Sequence, residues 1–246
     1  MNILLVAPPY YRDVTIFPLG LAYVAAVLKN EGQNVEVLDL SVDTEKMPVL
    51  GDYIVKTQPD MIGITCATQT FRSALEVAKI AKQSLPEVKV IVGGPHPTIM
   101  KENILKHPEF DIAVIGEGEE TIAELSHILE VGGSLCSVQG IIWKQGEKIH
   151  SNEQRPLIKN LDSLPFPARN LFPLSRYKVA GSIQTSRGCP YRCIYCITSN
   201  ISPGRTWRAR SPANVIAEMQ MMYHEFNIRR FQIMDDDFTV NRKRVF

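Results

Sequence analysis

Over residues 1–135, short apolar runs alternate with amphipathic stretches. Ile3–Ala7, Asn34–Leu40, Met61–Thr65, Val88–Val92 and Ile112–Ile115 read as strands. The entirely apolar ones suit a sheet covered on both faces. Leu19–Lys29 places Leu21, Val24, Ala25 and Leu28 on one helical face, and helices follow at about Phe71–Ser84 and Glu119–Val131. This rhythm predicts an α/β fold: a flavodoxin-like doubly wound parallel sheet over 1–135, in strand order 2-1-3-4-5.

The pattern then changes. Ile141-Ile142-Trp143 and Lys148-Ile149-His150 flank Gln145-Gly146-Glu147 and read as a small hairpin. Pro156, Pro165, Pro167 and Pro173 follow in a stretch with little periodicity, so 136–180 is expected to be hairpin and linker. A second domain over 181–246 begins with a strand at Ser182–Thr185. Ser211 is a helix N-cap with Pro212 at the first helical position, the helix runs to about Glu225, and a strand follows at Arg230–Met234.

Composition adds bounds. The chain has 246 residues, 45% hydrophobic and 22% charged, with a formal charge of +1, which suits a soluble globular protein. That balance gives no electrostatic case for nucleic acid as a partner. No apolar run reaches the roughly 20 residues of a membrane span. Without a basic leader at Met1, the expected compartment is the cytoplasm.

The chemistry concentrates in Gly188-Cys189-Pro190-Tyr191-Arg192-Cys193-Ile194-Tyr195-Cys196. The C-x3-C-x2-C spacing puts three thiolates on one tight loop. A 4Fe-4S cluster normally takes four cysteines, so three leave one iron open to another ligand. Zinc is the first alternative, but it more usually shows paired C-x2-C elements, and only His224 follows downstream. A disulfide is disfavoured by the odd total of five cysteines and by a reducing compartment. A chance cluster of structural cysteines is the remaining alternative. Cys66 and Cys136 read as small buried hydrophobes.

The loop, with Tyr195 before the third cysteine, resembles that of radical S-adenosylmethionine (SAM) enzymes. Trp207-Arg208-Ala209-Arg210-Ser211-Pro212 and Met234-Asp235-Asp236-Asp237-Phe238-Thr239 are similar to segments of the cobalamin-binding-domain radical SAM proteins. The resemblance implies that Cys189, Cys193 and Cys196 hold the cluster and that SAM chelates the open iron. It implies reductive cleavage to a 5′-deoxyadenosyl radical or, in methylating members, methyl supply through cobalamin. Asp235 and Asp236 then stand where the family contacts the SAM amino group, the alternative being an acidic run charging a helix start. Tyr195 is a candidate to pack on the adenine, with a place in the core as its alternative. Arg208 and Arg210 are expected on the surface, the alternative being that they reach a carboxylate. An electron donor such as flavodoxin or ferredoxin and a small-molecule substrate are the implied partners. The family barrel is typically built of six βα units, and 181–246 holds about two, so the chain reads as an N-terminal portion. Two further alternatives are a non-catalytic cobalamin or iron–sulfur module and a radical SAM enzyme without cobalamin.

In open α/β sheets ligands sit at the carboxyl ends of the strands. The candidate loops are 8–17, 65–70, 93–98 and 116–119, and they resemble the family's cobalamin-binding half. Gly93, Gly94 and Gly116 let backbone approach a ligand, Thr65 and Thr68 offer hydroxyls, and His96 and Glu117 are further candidates. Glu117 and Glu119 have a plainer alternative as charges at a helix start. The first loop, Pro8-Pro9-Tyr10-Tyr11-Arg12-Asp13, lacks the lower axial histidine that cobalamin mutases supply there.

Overall fold

A computed structural model describes residues 1–10, 16–198 and 206–246. The strands β1 (Asn2–Ala7), β2 (Asn34–Asp39), β3 (Met61–Thr65), β4 (Lys89–Gly93) and β5 (Ile112–Val114) are all parallel, in the order β2-β1-β3-β4-β5. Helices α1 (Leu19–Asn30), α3 (Phe71–Ser84) and α5 (Glu119–Glu130) lie where the apolar periodicity puts them. Two short helices interrupt expected connections: α2 (Leu50–Thr57) between β2 and β3, and α4 (Pro95–Met100) after β4.

Successive side chains of a strand point to opposite faces. Accordingly Ile3, Leu5 and Ala7 of β1 join one core with Leu21, Ala25 and Leu125, while Leu4 and Val6 join another with Ile54, Val77 and Phe110.

The hairpin is not part of a connection. Its strands, β6 (Ile141–Gln145) and β7 (Lys148–Ser151), extend the sheet antiparallel beyond β5, with Trp143 opposite Ile112. Nor is 152–180 a loose linker. It is a strap across one face of the sheet, where Ala168, Phe172 and Tyr177 belong to the same core as β1 and α1. The Phe17 ring meets Phe172 at 5.0 Å and Tyr177 at 5.3 Å, both edge-on. The Ala168 N–H donates to Ala22 O at 3.0 Å.

Beyond the strap, β8 (Ser182–Ile183) pairs in parallel with β11 (Gln232–Ile233), and β9 (Ser186–Arg187) pairs antiparallel with β10 (Arg208–Ala209). Helix α6 (Pro212–Phe226) is capped as expected, with Ser211 Oγ accepting from Asn214 N–H at 3.2 Å. A last turn, α7, covers Arg242–Val245. The fold is thus a flavodoxin-like parallel sheet with an antiparallel hairpin at its edge, followed by two short strand pairs and two helices among the described residues. No helix among the described residues is long and apolar enough to cross a membrane.

Candidate functional site at the strand ends and the cysteine loop

The carboxyl ends of β3, β4 and β5 are tied to one another by short polar links. The Cys66 N–H donates to Gly93 O at 2.8 Å, and the His96 N–H to Cys66 O at 3.0 Å. Thr98 Oγ1 donates to Gly94 O at 2.9 Å and accepts from Gly116 N–H at 3.0 Å. His96 is buried, with Nδ1 3.1 Å from Thr68 Oγ1 and its ring 4.7 Å from that of Phe71. Burial, then the nearby His107, lowers its pKa, so it favours the neutral imidazole. Thr65, Thr68, Gly93, Gly94, His96 and Gly116 are thereby brought to one rim. Part of the 8–17 loop, residues 11–15, lies outside the described residues.

Gly94 is required by both conformation and space. Its φ is +109°, and a Cβ there would stand 2.9 Å from Cys66 O. Gly94→Ala is expected to cost about 1–3 kcal/mol, to be checked by chemical denaturation. A rim built of bare backbone at Gly93 and Gly94, with hydroxyls at Thr65 and Thr68, suits a large ligand that needs close approach and neutral hydrogen-bonding partners. It fits cobalamin in that sense.

The cysteine loop leaves β9 and returns through β10. Cys189 and Cys196 are half-buried and Cys193 is exposed. The Cys196 N–H donates to Cys193 O at 3.0 Å, a tight turn that keeps the last two thiols close in the chain. Among the described residues, no three His, Cys, Asp or Glu side chains converge on a point that a single metal ion needs. A cubane cluster does not ask for that, because each of its three cysteine ligands binds a different iron. Three thiols on one short segment suit a cubane cluster in that sense.

Several expected roles change. Asp235 does not offer a free carboxylate. Its side chain is fully buried and accepts from Thr185 N–H at 2.6 Å, Thr185 Oγ1 at 2.5 Å and Ser186 Oγ at 2.6 Å. It binds the end of β8 to the end of β11 instead. Asp236 is exposed and accepts from Thr198 Oγ1 at 3.2 Å, so it stays beside the loop with capacity to spare. The Tyr195 ring is exposed and takes no place in the core. Cys66 is buried as expected, its thiol pushed up to about 12 by burial, whereas Cys136 is exposed.

The charged residues differ most. Glu117 is not available to a cofactor, since its carboxylate takes a two-pronged bond from Arg208, both arms 2.9 Å, and further bonds from Arg187 at 3.2 Å and Ile158 N–H at 2.8 Å. Burial pushes its carboxyl up, but Arg208, Arg187 and the Ile158 N–H outweigh that and hold it below the usual range. Glu119 is buried and pairs with Arg187. Arg208 and Arg210 are not surface residues: Arg210 is buried and pairs with Glu218, which also accepts from Arg169 at 2.9 Å. The sequence reading missed Arg169 and Glu218. One signal existed, for Glu218 occupies the same face of α6 as buried Met222, four positions on.

Comparison with known proteins fits this arrangement. The B12 binding domain family matches residues 12–126. An uncharacterized methyltransferase of Pyrococcus horikoshii is 37% identical over 255 residues, covering 99% of this chain and 55% of its own length. The cobalamin-dependent radical SAM methyltransferase TokK of Streptomyces tokunonensis is 28% identical, covering 76% of this chain and 30% of its own. Nearly the whole chain is thus similar to methyltransferases of which some are cobalamin-dependent radical SAM proteins, with a match to the B12 binding domain over 12–126. TsrM of Kitasatospora setae, a radical SAM methyltransferase solved with cobalamin and a [4Fe-4S] cluster bound, shares the fold of this chain. Its TM-score is 0.81 at 21% identity, covering 97% of this chain and 48% of that one. The chain thus spans about half the length of the Pyrococcus relative and of TsrM.

Proposed function

We propose that this chain forms the cobalamin- and SAM-binding portion of a radical methyltransferase. The observation that carries the reading is the anchoring of β9 and β10, which flank the three-cysteine segment, to Glu117 and Glu119 just beyond β5 of a B12-type sheet. Cys189, Cys193 and Cys196 would hold a 4Fe-4S cluster, leaving one iron for SAM. When bound, the cluster supplies an electron for SAM cleavage and cobalamin a transferable methyl group. The protein's share is placement. Thr65, Thr68, Gly93, Gly94 and Gly116 line the corrin side, and His96 stays neutral there. Asp236 supplies an exposed carboxylate beside the cysteine loop, suited to an ammonium group. Substrate is a small molecule, and reduction is expected to come from a flavodoxin or ferredoxin in the cytoplasm.

The test is anaerobic reconstitution with iron and sulfide, with hydroxocobalamin added. Retention of a corrin absorption band and a cluster resonance that shifts on adding SAM are expected. A resonance indifferent to SAM overturns the radical SAM part, and absence of the corrin band overturns the cobalamin part.

A further inference from the structure

The cysteine loop rises from a very small base. Strands β9 and β10 are two residues each, and a two-stranded ribbon is marginal on its own in water. Its register makes matters worse, because Arg187 stands directly opposite Arg208. Like charges facing each other across a ladder are destabilising. Arg187 is also one residue from Gly188, which has φ +80° and leads straight into Cys189.

Glu117 resolves this conflict. It comes from the turn after β5, outside the ribbon, and both of its oxygens meet the paired arginines. Glu119 takes a second nitrogen of Arg187, and the Arg187 guanidinium lies 5.3 Å from the centre of the Tyr23 ring on α1. Bidentate carboxylate–guanidinium geometry fixes direction as well as distance. Glu117 further accepts from Ile158 N–H, and Arg208 donates to Ile158 O at 2.6 Å, so the strap is held at the same point.

We propose that Glu117 is a positioning residue for the cysteine loop, clamping the two-arginine ribbon onto the end of β5 and so setting the height of the thiols above the corrin-side rim. The consequence for the cofactors rests on the function proposed above; the clamp itself does not.

The experiment has two arms. Deuterium exchange on the unloaded chain compares native protein with Glu117→Ala and Glu117→Gln. Glu117→Ala is expected to speed exchange at Ile158 and across 186–187 and 208–210 by roughly tenfold or more, with β1 to β4 unchanged. Glu117→Gln keeps an acceptor for Ile158 but no charge between the arginines, so it speeds the ribbon amides and largely spares Ile158. In the second arm, the loaded and reduced chain is followed by electron paramagnetic resonance. At equal corrin and cluster content, the magnetic interaction between cobalt(II) and the cluster is expected to weaken or spread in Glu117→Gln. Native exchange at the ribbon amides in both variants overturns the clamp. An unchanged magnetic interaction beside a loosened ribbon overturns the positioning role. A native chain that takes up no corrin counts against the proposed function alone, because the exchange arm still decides the clamp.

Discussion

Glu218→Ala is expected to destabilise the chain by about 3–5 kcal/mol, the range for removing one partner of a buried charge cluster. Glu218 and Arg169 have no side-chain exposure at all, and Arg210 has almost none. Truncating the carboxylate leaves two guanidiniums enclosed with no anion. They retain some neutral acceptors: Arg169 donates to Ala180 O at 2.9 Å and to Ser182 O at 2.6 Å, and Arg210 to Gln184 O at 3.0 Å. These soften the loss without neutralising the charge. Urea denaturation of the native chain and the variant measures it, and a loss under about 1 kcal/mol would show that solvent reaches the cluster. Because Arg169 lies in the strap and Glu218 on α6, the variant should also loosen the strap from the barrel strands.

The second large effect falls on the cluster. Cys193→Ala is expected to reduce iron and sulfide content after anaerobic reconstitution to near background, with loss of the charge-transfer absorption and of SAM cleavage. Cys193 is exposed, and in sequence it stands between the other two cysteines of the loop. Cys136→Ala serves as the control. Its thiol is also exposed but lies in a turn between α5 and β6, and its loss should leave the cluster intact. Full iron content in Cys193→Ala would falsify the assignment of the loop as the cluster site.

The sheet was legible because parallel strands buried on both faces must be apolar throughout, as in Ile3–Ala7 and Met61–Thr65. The cysteine loop was legible because its spacing is written in the covalent chain. Three other features carried weaker signals. Helix α2 places Leu50 and Ile54 one turn apart but is only eight residues long, and α4 is six residues with two prolines, so neither is long enough for its period to stand out in the sequence. The strap has no repeat because its buried residues, Ile158, Leu161, Ala168, Phe172 and Tyr177, are held in irregular backbone. Asp235 is a candidate ligand through the family resemblance of its segment, and Glu117 through its place in the loop after a parallel strand. The arginines and hydroxyls that hydrogen-bond to them lie 49 to 91 positions away in sequence, which no local pattern can reveal.

The strap also decides where this architecture can be recombined. Arg169 is contributed by the connection between the two halves, while the acid that answers it belongs to the barrel side. A chimera joined at 181 would separate the pair and seal a cation inside a foreign junction. A crossover at 151, directly after the last strand of the sheet, carries Arg169 and Glu218 across together. Such a crossover must still preserve the pairs that Glu117 and Glu119 make with Arg187 and Arg208, and the bond from Tyr177 to Asp39, because these continue to span the junction.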